Sequence, residues 1–142
     1  MERLKILILE DDLSVQNLYR KAFADEVFEQ QYAANGKEGL KLYGSWKPDI
    51  ILLDIYMPVM TGFLVLKEIR SHLNDSATVI IMQTSLARKD DIMQCIALGI
   101  QGYIVKPFDY RTVADTVLKY YATKNPERAQ AAQDALAALR AR

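Results

Sequence analysis

The chain has 142 residues, 18 basic and 18 acidic side chains, and hence no formal net charge. That length suits one domain with a real core, and the balanced charge gives no general pull toward nucleic acid or an anionic membrane. No apolar run approaches a membrane span, MERLKILILEDD turns acidic too soon for a signal peptide, and a single cysteine, Cys95, allows no internal disulfide, so a cytoplasmic protein is expected that binds neither membrane nor nucleic acid.

Short apolar runs alternate with helical patterns along the chain. Leu4 to Leu9 (LKILIL) predicts a first strand, and Leu13 to Ala24 a helix with Val15, Leu18, Tyr19, Ala22 and Phe23 on one face. Glu29 to Ala34 (EQQYAA) reads as a weaker, edge-like strand; Asn35-Gly36 breaks the chain, and a helix runs to about Trp46. Ile50 to Leu53 is a third strand, and Gly62 opens a helix carrying Phe63, Leu66 and Ile69. Thr78 to Met82 gives a fourth strand, Arg88 to Leu98 a helix stopped by Gly99, Gln101 to Val105 a fifth strand, and Asp109 or Thr112 begins a helix through Tyr121.

Strands one, three, four and five are nearly continuous apolar runs, as expected of a parallel sheet covered by helices on both faces. In such an α/β sheet, ligands sit beyond the carboxyl ends of the strands. Those ends carry Glu10-Asp11-Asp12, Asp54, Thr84-Ser85 and Lys106-Pro107. An acid just after a strand is more often a turn or cap residue; polar chemistry at four strand ends together points to a shared crevice. Clustered carboxylates repel one another, and a divalent cation with oxygen ligands, magnesium above all, relieves that repulsion. A lysine and a hydroxyl beside such a metal suit an anion, and a carboxylate can attack phosphorus to give an aspartyl-phosphate. A flavin binder of similar architecture needs a phosphate-cradling loop after strand one, where this chain has Glu-Asp-Asp.

In order and spacing, ILILEDD, DIILLDIYMPVMTG, VIIMQTS and GYIVKPF resemble the receiver domain of bacterial two-component response regulators, over about Leu4 to Tyr121. The resemblance implies a flavodoxin-like, doubly wound five-stranded parallel sheet of order 2-1-3-4-5, with residues 1–122 as receiver and 123–142 as an Ala-rich helical extension or linker. It implies a phosphoacceptor switch rather than a conventional enzyme, one that assists its own phosphorylation and dephosphorylation. Asp54 corresponds to the phosphoacceptor. Asp11, Asp54, the Tyr56 carbonyl and, through water, Glu10 correspond to the ligands of Mg2+, with Mn2+ as a substitute. Thr84 matches the switch hydroxyl, Tyr103 the aromatic switch residue and Lys106 the lysine that pairs with the phosphoryl group; the Lys106–Pro107 peptide is expected to be cis. Asp12 reads as a turn residue. Tyr56, Ser85 and Leu86 line the access route for water, and the bulk of Tyr56 and Leu86 predicts slow loss of the phosphoryl group.

The implied partners are a sensor histidine kinase or phosphotransfer protein and an output partner the sequence does not name. A homodimer through the fourth helix, fifth strand and fifth helix, or through the C-terminal helix, is the implied mode of self-association. No second domain follows, so an output domain is not expected within these residues. In NPERAQAAQDALAALRAR, Asn125 suits an N-cap and Pro126 the first turn, and Ala129, Ala132, Leu136 and Leu139 form one apolar stripe. Two readings stand for it: a solvated linker helix or a short coiled coil. His72 reads as surface, Cys95 as packing and Trp46 as an edge of the core. Gly39, inside a helix, costs about 1 kcal/mol relative to alanine with no reason visible in the sequence.

Overall fold

Leu4–Leu9 (β1), Phe28–Ala33 (β2), Ile50–Asp54 (β3), Val79–Thr84 (β4) and Gly102–Val105 (β5) pair as one parallel sheet in the order β2-β1-β3-β4-β5. The structure is a computed structural model that describes residues 1–85 and 88–142. Between the strands run Leu13–Ala22 (α1), Gly36–Trp46 (α2), Gly62–Lys67 (α3) with a π-helical continuation over Glu68–His72, and Lys89–Leu98 (α4). Val113–Tyr121 (α5) and Pro126–Arg140 (α6) complete the chain. This is the expected doubly wound architecture, with β4 reaching two residues beyond the predicted Met82 so that Gln83 and Thr84 lie inside the strand.

Alternation along the strands divides the core into two layers. Ile6, Ile8, Ile50, Leu52, Val79 and Ile81 face Tyr19 of α1, Phe23 just beyond its end, and Val117 and Leu118 of α5. Leu7, Leu9, Ile51, Leu53, Ile80 and Met82 face Val65, Leu66 and Ile69 of α3 and its continuation, with Cys95 of α4. Cys95 is thus a core side chain, His72 is exposed beside Glu68, and Trp46 packs at the edge of the second layer.

Helix ends follow their chemistry. The Asn35 side chain accepts from the Glu38 N–H, the Thr61 hydroxyl from the Leu64 N–H, and Gly99 closes α4 at φ 94°. Gly39 now has its reason: a Cβ there would stand 2.2 Å from Leu9 Cδ2 and 2.6 Å from its Cγ, so α2 lies against β1 at a distance only glycine permits.

The C-terminal stripe departs from both readings drawn from sequence. Ala129, Ala132 and Leu136 are buried in the same layer as Val117 and Tyr121. Arg128 donates to Asp49 Oδ1 at 2.8 Å and to the Tyr121 hydroxyl at 3.1 Å, and Arg140 forms two hydrogen bonds to Asp115. The stripe is narrow because it seats small side chains on the chain's own α5; α6 is neither solvated all round nor left with an apolar seam for a coiled coil.

Candidate functional site

Counting in twos along each strand from the first apolar layer sets the floor of the site. Ile6-Ile8 leads to Glu10, Ile50-Leu52 to Asp54, Val79-Ile81 to Gln83, and Ile104 to Lys106, so polar residues end one face of the sheet, with Lys106 two residues beyond the partner of Gln83. Burial of the apolar run beneath fixes where each points. Glu10 is 1% exposed and Asp54 5%.

Lys106 clasps both acids: its Nζ lies 2.5 Å from Glu10 Oε1 and 3.1 Å from Asp54 Oδ2. Burial pushes the Glu10 carboxyl above its ordinary range, even against the lowering effect of Lys106. Burial alone would lower the Lys106 ammonium, but its bonds to Glu10 and Asp54 outweigh that and raise it. Asp11 stands exposed at the rim, and one carboxylate oxygen each from Glu10, Asp11 and Asp54 lie within 4.8 Å of one another. Three hard oxygen donors facing one ammonium fit a divalent cation such as magnesium.

Asp12 caps α1, its side chain accepting from the Ser14 N–H and hydroxyl, which also hold its carboxyl below the ordinary range. Its own N–H donates to Glu10 Oε2 at 3.1 Å. The chain then turns after β3 so that the Tyr56 N–H donates to Asp54 Oδ1 at 3.2 Å. Gly62 makes that turn fit: a Cβ there would stand 2.0 Å from the Asp54 carbonyl oxygen. The Thr84 side chain is fully buried at the end of β4, its carbonyl accepting from the Lys106 N–H at 2.8 Å. The Lys106–Pro107 peptide is cis, as the resemblance implied. Tyr103 is 42% exposed on β5, and Ser85 is exposed; Leu86 lies outside the described residues.

Two features lie beyond the sequence patterns above. The Tyr56 hydroxyl donates to Asp91 Oδ2 on α4 at 2.6 Å. Gln83, the fourth residue of the floor, is fully buried and bonds to Tyr19 and to the Leu9 carbonyl. An alternation count carried two residues further along β4 would have found it.

The family model of the response regulator receiver domain matches residues 6–118. The chain belongs to the response regulator receiver family. It is 34% identical over 121 residues to sporulation initiation phosphotransferase F of Bacillus subtilis, covering 85% of this chain and 96% of that protein. It is 31% identical over 113 residues to chemotaxis protein CheY of Halobacterium salinarum, covering 80% of this chain and 92% of that one. Against regulatory protein AtoC of Escherichia coli it is 38% identical over 105 residues, 74% of this chain but only 22% of AtoC. Among solved structures, the chemotaxis response regulator CheY4 of Vibrio cholerae superposes with a TM-score of 0.76 at 30% identity, over 84% of this chain and 99% of that one. A CheY-like receiver from Methanospirillum hungatei gives 0.79 at 25% identity, over 89% and 99%. This receiver is therefore a two-component phosphoacceptor, of a family that binds Mg2+ through an acidic cluster like the one formed by Glu10, Asp11 and Asp54. No helix among the described residues is long and apolar enough to cross a membrane.

Proposed function

We propose that Asp54 accepts a phosphoryl group from the phosphohistidine of a sensor kinase or phosphotransfer protein, and that this shifts a partner-binding surface. The observation that carries the reading is the burial of Asp54 at the centre of the crevice, within reach of Lys106 on one side and Asp11 on the other. An Asp54 carboxylate oxygen attacks phosphorus, the P–N bond breaks as the O–P bond forms, and the imidazole leaves and takes up a proton. Asp11, Asp54, the Tyr56 carbonyl and, through water, Glu10 would hold Mg2+, with Mn2+ as a substitute. That ion supplies neutralisation and orientation of the phosphoryl oxygens. Lys106 exchanges its present partners for a phosphoryl oxygen, and the Thr84 hydroxyl donates to another.

Tyr103 stands outward, the position from which an aromatic switch residue can move in as Thr84 moves toward the site. The surface so changed is α4, β5 and α5, which also offers a route to a homodimer and a site for the output partner. The receiver assists its own phosphorylation and dephosphorylation and has its place in the cytoplasm. Incubation with a small phosphodonor and Mg2+ tests the assignment: the wild type should take up one phosphoryl group and Asp54→Asn none. Equal uptake by both would place the acceptor elsewhere.

A further inference from the structure

Gln83 and Tyr19 are both fully buried, yet both are polar. Their neighbours in this layer of the core are largely apolar, where an unpartnered amide or phenol would be strongly unfavourable. The pair satisfies itself instead. The Tyr19 hydroxyl donates to Gln83 Oε1 at 2.5 Å, and Gln83 Nε2 donates to the Leu9 carbonyl at 3.3 Å. Burial, with the nearby Glu10 and Asp54 charges, pushes the Tyr19 phenol far up, so it remains a hydrogen-bond donor at any physiological pH.

Each end of this chain of contacts leads to the site. Leu9 immediately precedes Glu10, and Gln83 pairs in register with Asp54 and precedes Thr84. The Tyr19 ring stacks on Phe108, with centroids 4.4 Å apart and planes 15° from parallel. Phe108 is two residues beyond Lys106. A phenylalanine and a leucine would fill the same space, but neither would fix the turn of the ring or the height of the β1 end. The polar pair does both, because a buried hydrogen bond has one good geometry where apolar contact has many.

We infer that Gln83 and Tyr19 are positioning residues for phosphoryl transfer, setting the placement of Lys106 through Phe108 and of the β1 acids through the Leu9 carbonyl. This rests on the phosphoacceptor reading above. Neither side chain touches the phosphoryl group; they act by holding the groups that do, and small displacements of such groups are expensive in rate.

The test is phosphorylation by a small-molecule donor, with the maximal rate constant, the half-saturating donor concentration and the Mg2+ affinity measured separately. Tyr19→Phe keeps the stacked ring and removes only the hydroxyl; Gln83→Leu removes the amide. Each should lower the maximal rate constant roughly three- to tenfold and weaken Mg2+ affinity through the displaced β1 acids, with the half-saturating donor concentration within about twofold. The double variant should be no slower than the slower single, because the residues act as a unit. Phe108→Leu, which breaks the stack and leaves the hydrogen bonds, should show the same loss and covers the case in which a polar variant does not fold. Variants that lose stability but keep the wild-type maximal rate, or whose effects multiply, would assign the pair to the core alone. An absence of uptake by the wild type, or uptake by Asp54→Asn, would instead overturn the phosphoacceptor reading, so the two failures are separable.

Discussion

The Tyr56 hydroxyl and the Asp91 carboxylate meet at 2.6 Å, tying the loop after β3 to α4. The same residue whose carbonyl is proposed to face the metal thus has its ring held in place from outside. Two consequences are predicted for the phosphorylated state: the ring should shield the acyl-phosphate from attacking water, and movement of α4 should alter that shield. Tyr56→Asn, alone or with Leu86→Glu, should speed dephosphorylation by about tenfold, corresponding to about 1.4 kcal/mol of barrier. Asp91→Ala should speed it less, since the ring stays but loses its tether. Decay of the phosphorylated protein, followed after donor removal in excess Mg2+, checks both; lifetimes unchanged by Tyr56→Asn would remove the ring from the access route.

Gly62 and Asp54 form a second such relationship, this time of backbone. A side chain at Gly62 has only 2.0 Å to the Asp54 carbonyl oxygen, so Gly62→Ala must displace the end of β3. The expected cost is about 1 to 3 kcal/mol of stability, together with a slower phosphorylation rate at saturating donor. Urea unfolding and donor kinetics on one preparation measure the two losses. A Gly62→Ala protein as stable and as fast as wild type would mean that the turn has slack the close approach denies.

The C-terminal helix gives a prediction about stability without chemistry. Leu136 is 4% exposed in the core layer shared with α5, and Arg128 bridges to Asp49. Leu136→Ala should cost about 2 to 3 kcal/mol. Arg128→Ala should cost about 1 kcal/mol or less, since that ion pair is partly solvated. Both should phosphorylate at the wild-type rate, as α6 packs on α5 rather than at the strand ends. Thermal unfolding with parallel donor kinetics decides; a slowed rate in either variant would tie α6 to the site.

Much of the site is legible in sequence because a buried parallel strand leaves its last polar residue little freedom. Glu10, Asp54 and Lys106 could be placed from the apolar runs alone, and the structure brings them within one hydrogen-bonded cluster. The hidden features depend on contacts between segments far apart in the chain. Gln83 lay past the predicted end of β4, and its partner Tyr19 is 64 positions away. Asp91 looks like an ordinary acid in the first turn of α4 until Tyr56 is seen across from it. The α6 stripe reads as a solvated linker or a short coiled coil because alanine carries little hydrophobic signal, and Asp49, which anchors its Arg128, is 79 positions away. Gly39 is a local defect of α2 whose cause is Leu9 on another element.

Asp75 yields a prediction in pH. Burial by itself would raise its carboxyl. Four donors more than offset that and hold it down to about 2: the Thr78 hydroxyl, the Tyr43 hydroxyl and the N–H groups of Ala77 and Thr78. A carboxyl whose folded value lies below its ordinary 3.8 binds fewer protons folded than unfolded between the two. Its stabilisation is therefore complete above about pH 4 and is lost as pH falls through about 2. Partial exposure limits the linked contribution to roughly 1 to 2 kcal/mol. Asp75→Asn should be less stable than wild type at pH 7, and the gap should shrink by more than half by about pH 2.5, because only the wild type takes up that proton. Urea unfolding of both proteins from pH 7 down to pH 2.5 measures the gap directly. A gap independent of pH would mean that Asp75 acts through neutral hydrogen bonds, which asparagine's geometry breaks at every pH, and that its charge contributes nothing.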